Sequence, residues 1–512
     1  MRSPAFLCVL LLAFTACSSA QSSALTTHDP SSLQWGVAGI SDVPTLDPTL
    51  VSDPTSISVA SLIYGGLVRL DGRLQVKPDA AKSWAISRDG KTYSFHLRTG
   101  LKFAGGNLVT ASDFVTALTR SFGSGNSSST GSTYLQLIAT NAKGVPKISS
   151  PNPSTVQIVL VHPAAHFLAE LAFPASFVPD PSVMARYGDA WTDHAAGFGP
   201  YMVGAWRHSR FLRLVPNPNF RPKPAVKSIT LRFYAPGDAV AAYNRGDIDL
   251  VSGLLPGQSV SSKPAGLQRV RLLALDYLAF NTTRKPFRRT DVRRAFAAVW
   301  TPAFVTHAMK SSAFPSDGFL PASFNVGTPL WKPAQPAARY LAAARYPNGH
   351  GFPQVTLILP NDAALHALAL ELRRSWQRYL GVDIAIRQLN NSNYQRVLNA
   401  RAYDLAFVRW GADYADPQDF LDTQLGPSPD NVTGWAGTSY DRLIPLADSY
   451  DPRDPRRLTL FKQAAAIAAD RVPLLPMDEP AQTALVRHGL HGVALTPLGT
   501  VYISPGKLGF SR

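Results

Sequence analysis

Four aspartates, Asp413, Asp416, Asp419 and Asp422, recur at every third position. On a single helix they would form an acidic stripe able to hold a cation or share a proton. Pro417 and the intervening aromatics Tyr414 and Phe420 argue for a structured loop instead. A calcium loop would also need a glycine at its sixth position and a closing glutamate, and this run has neither. Capping of turns and helix starts is the plainer use of Asp416, Asp419 and Asp422. Two histidine pairs, His162/His166 and His488/His491, have spacings that would let both rings reach one ion from a helix. Neither pair has the neighbouring glutamate of a metalloprotease, and Pro163 places the first pair across an element boundary. No metal site is expected, and surface or partly packed histidines are the default.

Nucleophilic chemistry is equally thin. No Gly-x-Ser-x-Gly elbow occurs, and no Gly-rich phosphate loop precedes a lysine. The only cysteines are Cys8 and Cys17. No motif for nucleophilic or phosphate chemistry is present, acid–base carboxylate pairs stay open, and neither enzymatic activity nor a cofactor is expected. The charge of +16 and pI of about 9.9 suggest nucleic acid at first sight. The arginines are scattered, however, and no stretch interleaves basic and aromatic residues as a recognition surface would. Loose attraction to an anionic membrane or wall fits better, and no nucleic acid partner is expected.

The N-terminus reads as an export signal. Arg2 is followed by the apolar run Phe6–Leu12, and small Thr15 and Ala16 precede Cys17. The segment resembles a bacterial lipoprotein signal, residues 1–17 ending at a lipidated Cys17 that is kept as the mature N-terminus, with 18–28 forming a tether. Phe14 departs from the usual aliphatic residue, and cleavage after Ala20 or Ala24 would instead give a soluble secreted form. No later run is long enough to be a transmembrane helix.

Positioning falls to the elements between. Strands are expected over 33–39, 156–160, 229–234 and 248–251. Hairpins are expected around Asp71-Gly72 and Asp89-Gly90, and a helix capped by Thr110 or Ser112 should run to about Phe122. A helix is expected over 163–171, a Gly/Ser-rich loop over 123–131, and a long strand over 272–280. From about Ala334 helices and strands alternate: helices over 337–346, 363–379, 393–400 and 458–469, and strands over 355–359, 383–389 and 405–408. This is an α/β chain with a mixed sheet.

Several motifs together give a specific resemblance. They begin with Ala81-Lys82-Ser83-Trp84 and Ser87-Arg88-Asp89-Gly90-Lys91-Thr92-Tyr93-Ser94-Phe95, then Gly100-Leu101-Lys102-Phe103 and Thr110-Ala111-Ser112-Asp113-Phe114. Further on stand Gly199-Pro200-Tyr201 with Trp206, Asn217-Pro218-Asn219-Phe220, Gly246-Asp247-Ile248-Asp249, Phe280-Asn281, Pro286-Phe287 and Asp291-Val292-Arg293-Arg294-Ala295. Last comes Trp410-Gly411-Ala412-Asp413-Tyr414-Ala415-Asp416-Pro417. The chain resembles the extracytoplasmic solute-binding proteins of ABC peptide importers, the dipeptide/oligopeptide-binding family (solute-binding protein family 5). Departures occur at Ala104-Gly105, where His-Asp is common, and at Thr301-Pro302, where Asp-Arg is usual.

The resemblance implies a two-lobed periplasmic-binding-protein-like α/β fold (type II, cluster C) with an inserted domain. Residues 29–58, 173–270 and 482–512 would form domain I, 59–172 the inserted domain II and 271–481 domain III, with 272–280 as a hinge crossing. It further implies a di- or oligopeptide held between the lobes by main-chain pairing, with Asp413 receiving its amino group. Trp410 would wall the pocket, the backbone of Arg409 and Gly411 would pair with the ligand, and Tyr414 and Asn281 would contribute contacts. Tyr201 and Trp206 belong to the core. The expected partners are an ABC permease with its ATPase subunits. A monomer is expected, in the periplasm or on the outer face of the cytoplasmic membrane. Two other functions stay open: a non-peptide solute such as a metal chelate, haem, opine or sugar, and, behind it, a secreted hydrolase.

Overall fold

The computed structural model describes residues 29–123, 130–254, 265–309, 313–316, 318–327 and 332–511. The expected signal, Cys17, the 18–28 tether and most of the Gly/Ser-rich run lie outside these residues. No helix among the described residues is long and apolar enough to cross a membrane.

A long mixed sheet runs through two lobes. In the first lobe, Ser32–Ala38 lies parallel to Ser228–Tyr234 and to Leu250–Leu254. The antiparallel pair Tyr201–Arg207 and Phe211–Pro216 continues the sheet outward. In the second lobe, Thr356–Pro360 lies parallel to both Ala385–Leu389 and Leu405–Gly411. The helices Ala363–Leu380 and Asn391–Asn399 make the crossovers. The first of these starts at Asp362, whose carboxylate accepts the Leu365 N–H, and stops at Gly381, with φ +69°. It buries Leu368, Leu372 and Trp376, positions 3.6-residue periodicity brings to one face.

Two antiparallel segments join the lobes. Leu474–Val486 pairs with Ala274–Phe280 through its first half and with Leu267–Arg271 through its second. The strand expected over 272–280 is found as Ala274–Phe280, a further strand, Leu267–Arg271, precedes it across Leu272-Leu273, and the crossing expected there has a partner. That partner was not expected as a strand, because Pro476, Asp478, Glu479 and Pro480 interrupt it. Its carboxylates are buried: Glu479 pairs with Arg271 at 3.0 Å, and Asp478 lies opposite Asp276 in register.

A separate unit carries an antiparallel four-stranded sheet ordered Ala81–Ile86, Thr92–Leu97, Thr155–Val159, Ile148–Asn152. The helix Ala111–Gly123 covers it, and Phe95, Phe103, Phe114 and Phe167 fill the space between. Thr110 opens this helix, its N–H and hydroxyl donating to Asp113 at 2.7 and 2.8 Å. The helix expected over 163–171 shrinks to Phe167–Glu170.

Several motif residues prove to be architectural. A Cβ on Gly199 would meet the Ile63 carbonyl at 2.6 Å, so only glycine lets the chain pass the helix end there. Asp249, wholly buried, accepts the Gln34 N–H at 2.9 Å and Arg487 Nε at 3.0 Å, tying three strands of the first lobe.

Candidate functional site

The strand Leu405–Gly411 runs the length of Ala274–Phe280, but its pairing with Thr356–Pro360 ends at Ala406. Beyond that point its outer edge has no strand beside it among the described residues. Gly411 is exposed, and a Cβ there would meet nothing within 4 Å. Packing therefore does not demand a glycine; its effect is to leave the backbone edge bare.

The chain then turns into the loop at 412–417. Trp410, half-buried, donates its indole N–H to Asp419 at 2.9 Å. Asp419 is buried in the short helix Gln418–Asp422, and desolvation, with Asp413 adding, lifts its carboxyl well above the usual range. Asp416 caps this helix by accepting the Gln418 N–H at 3.0 Å, and pairs with Arg457 at 3.1 Å. Asp422 accepts from Gln418 Nε2 at 3.3 Å. The four aspartates thus form no stripe: Asp416 and Asp419 are buried, Asp422 is partly buried, and all three have hydrogen-bond partners. Asp413 differs. Its side chain is half-buried and has no hydrogen-bond or ion-pair partner among the described residues. Burial raises its pKa, with the Asp430 charge adding.

Tyr414 is buried under a second unit. Its ring stacks on His166, centroids 4.9 Å apart and planes at 15°. His166 belongs to the four-stranded-sheet unit, and its Nδ1 meets Gln418 Oε1 at 3.0 Å and Asp448 Oδ1 at 3.2 Å. Glu170 lies 3.6 Å from the other ring nitrogen. Burial alone would lower the His166 pKa; the Asp448 hydrogen bond, with the Glu170, Asp448 and Asp416 charges, outweighs it and lifts it to about 10. Burial raises Glu170 to about 8 and Asp422 to about 7. Tyr134 and Phe173, stacked at 4.7 Å, complete the aromatic surroundings of Tyr414.

The side chains of two residues expected at the ligand site are engaged elsewhere. Arg409 is held by Asp276 through two hydrogen bonds of 2.7 Å, so its guanidinium braces the crossing strand. Asn281 is wholly buried: its amide donates to the Arg401 and Tyr403 carbonyls at 2.9 and 2.8 Å, and its oxygen accepts from Thr283. That leaves no surface for a ligand. The histidine pairs do not converge either. His162 is exposed and turns to the Pro163 carbonyl, His166 is spent as above, and His488 and His491 are both exposed. Sequence reasoning missed His166, Gln418, Asp448 and Arg457. The one available signal was His166 and Glu170, a polar i,i+4 pair inside an apolar run.

Comparison with known proteins agrees with this architecture. The model for "Bacterial extracellular solute-binding proteins, family 5 Middle" matches residues 75–431. The chain is 27% identical to the "Probable deoxycholate-binding periplasmic protein YgiS" of Escherichia coli, over 85% of this chain and 86% of that protein. It is 24% identical to the dipeptide-binding protein DppE of Bacillus subtilis, over 89% of this chain and 88% of that one. Among solved structures, the unliganded open form of the E. coli murein tripeptide binding protein MppA superposes with a TM-score of 0.84 at 22% identity, covering 95% of this chain and 98% of that one. The chain belongs to family 5 of the bacterial extracellular solute-binding proteins.

Proposed function

We propose that this protein captures a di- or oligopeptide by its free amino end and delivers it to a membrane permease. As a family member it is an extracytoplasmic solute-binding component of an ABC transporter. The peptide reading rests on Asp413, a half-buried carboxylate with no partner among the described residues, at the tip of a strand whose outer edge is bare. An ammonium enclosed on lobe closure needs such a carboxylate, and the edge at 408–411 offers main-chain groups to an extended ligand. Trp410 and Tyr414 wall the site. The names of DppE and MppA, a dipeptide and a tripeptide binder, support the peptide class.

In this reading 271–481 moves as one lobe, 29–58, 173–270 and 482–512 as the other, and 59–172 is inserted between them. Residues 1–17 direct export, and Cys17 carries the anchor. A second reading, an amphipathic non-peptide solute, draws on the likeness to YgiS. Native mass spectrometry of freshly purified protein separates the two. A ladder of co-purifying peptide masses supports the first; a single non-peptide mass overturns it.

A further inference from the structure

Charge is divided within the second lobe. Residues 284–401 hold sixteen lysines and arginines against five aspartates and glutamates, whereas 402–481 hold seven against thirteen. Strand direction sorts the two sets in space. Thr356–Pro360, Ala385–Leu389 and Leu405–Gly411 are parallel, so all three point their C-terminal ends toward the Asp413 loop. The crossover helices Ala363–Leu380 and Asn391–Asn399 run back and end at the opposite pole. There they bring Arg374, Arg378 and Arg396, all exposed. The turn at 347–349 lies against Gly381, which adds exposed Arg345 to the same end.

Carboxylates do not answer this charge. Asp383 is taken by Arg373 through two hydrogen bonds of 2.6 and 2.8 Å. Asp404 accepts the Thr356 N–H at 3.0 Å, with Arg284 4.0 Å away. Arg345, Arg374, Arg378 and Arg396 have no ion pair among the described residues. Arg374 and Arg396 turn only to the Leu370 carbonyl and the Asn393 side chain, each at 3.2 Å, and Arg378 lies over the Tyr379 ring. Set among these cations, Leu370 is 37% exposed and Tyr379 56%. Leu370, Arg373, Arg374, Gln377 and Arg378 line an open depression, not an enclosed site for one small anion. Spread, unpaired cations with an aliphatic and an aromatic side chain between them fit an extended anionic surface with an apolar layer beneath it, which describes an anionic phospholipid bilayer. A permease has to meet the mouth of the site to receive a solute, and this pole faces away from it.

We propose that the basic pole of the second lobe rests on anionic phospholipid at the outer face of the membrane, with the Asp413 end turned toward the arriving solute. The contact is electrostatic and reversible, and the assignment does not depend on which solute binds.

Sedimentation with vesicles tests it, using phosphatidylcholine alone and phosphatidylcholine mixed with an equal part of phosphatidylglycerol, at low salt. A lipid anchor on the N-terminus binds both kinds alike, so the readout is the ratio of the two partition coefficients. Each basic residue near such a surface contributes roughly fivefold, so Arg374→Gln/Arg378→Gln/Arg396→Gln should lower the ratio by roughly tenfold to a hundredfold. High salt should collapse the ratio in the unmodified protein. Arg207→Gln/Arg210→Gln/Arg213→Gln removes the same charge from the first lobe and should leave the ratio nearly unchanged. All six positions are exposed, so both variants keep the core intact, which equal melting temperatures check. Equal losses in the two triple variants overturn the assignment, because net charge alone then explains the binding. An unmodified protein with no preference for anionic vesicles overturns it too. Pole-dependent binding of soluble polyglutamate without a vesicle preference overturns it in favour of an acidic protein partner.

Discussion

The four-stranded-sheet unit touches its neighbours through two seams of opposite character. Against the first lobe it presents rings and aliphatic chains around a cavity. Against the second lobe it presents buried His166 and Glu170, which meet buried Asp416, Gln418, Asp448 and Arg457 and partly buried Asp422. The apolar seam can lose or gain an occupant without stranding a charge. The polar seam cannot separate without stranding several, and even closed it leaves Glu170 Oε2, Asp422 Oδ1 and Arg457 Nε without partners. Directional contacts therefore fix the loop that carries Asp413, while shape alone governs the space beside it. A buried network of this kind specifies one geometry at a cost in stability.

The contrast breaks most visibly at Arg457. Arg457→Leu leaves Asp416 buried without its cation and should destabilise the protein by about 3–5 kcal/mol, read from urea unfolding. A loss within the ordinary surface range of about 0.5 kcal/mol would mean that the polar seam is not fixed by charge. Phe198, edge-on to Phe103 and Phe114 and lining the cavity, tests the other seam. Phe198→Ala should cost about 3 kcal/mol, the low end for a buried ring, since one side already faces empty space.

Acidity separates the seams more finely. The folded pKa of His166 is raised from 6.5 to about 10, so its stabilisation is complete below 6.5 and lost as pH rises through 10. Glu170 is raised from 4.5 to about 8, so the fold holds its proton more tightly than the unfolded chain does, and stability again falls as pH rises from 4.5 to 8. Melting temperature should therefore decline with pH across both windows. Glu170→Gln should flatten the lower window and His166→Gln the upper, whereas Phe198→Ala should shift the whole curve and keep its slope. An unchanged slope in both polar variants would mean that neither His166 nor Glu170 titrates with folding.

Much of the fold was legible because its elements carry local signals. The helix Ala363–Leu380 has a cap, a period and a terminating glycine, and the Asp89-Gly90 turn announces its hairpin. Leu474–Val486 was illegible because burial on both sides of a lobe crossing overrides what two prolines and two acids imply locally. Around the site, the sequence marked Asp413 and Trp410 through their motif. It could not show that the Asn281 and Arg409 side chains are engaged by Tyr403 and Asp276, nor that His166 reaches Asp448, because those partners lie more than a hundred residues away.

The amine contact at Asp413 is tested most directly by calorimetric titration of one dipeptide, with its amino group free and acetylated, against the unmodified protein and Asp413→Asn. Acetylation should weaken binding to the unmodified protein by roughly tenfold to a hundredfold, and Asp413→Asn should bind the two forms alike. Equal affinity of the unmodified protein for both forms would contradict capture of a peptide by its amino end.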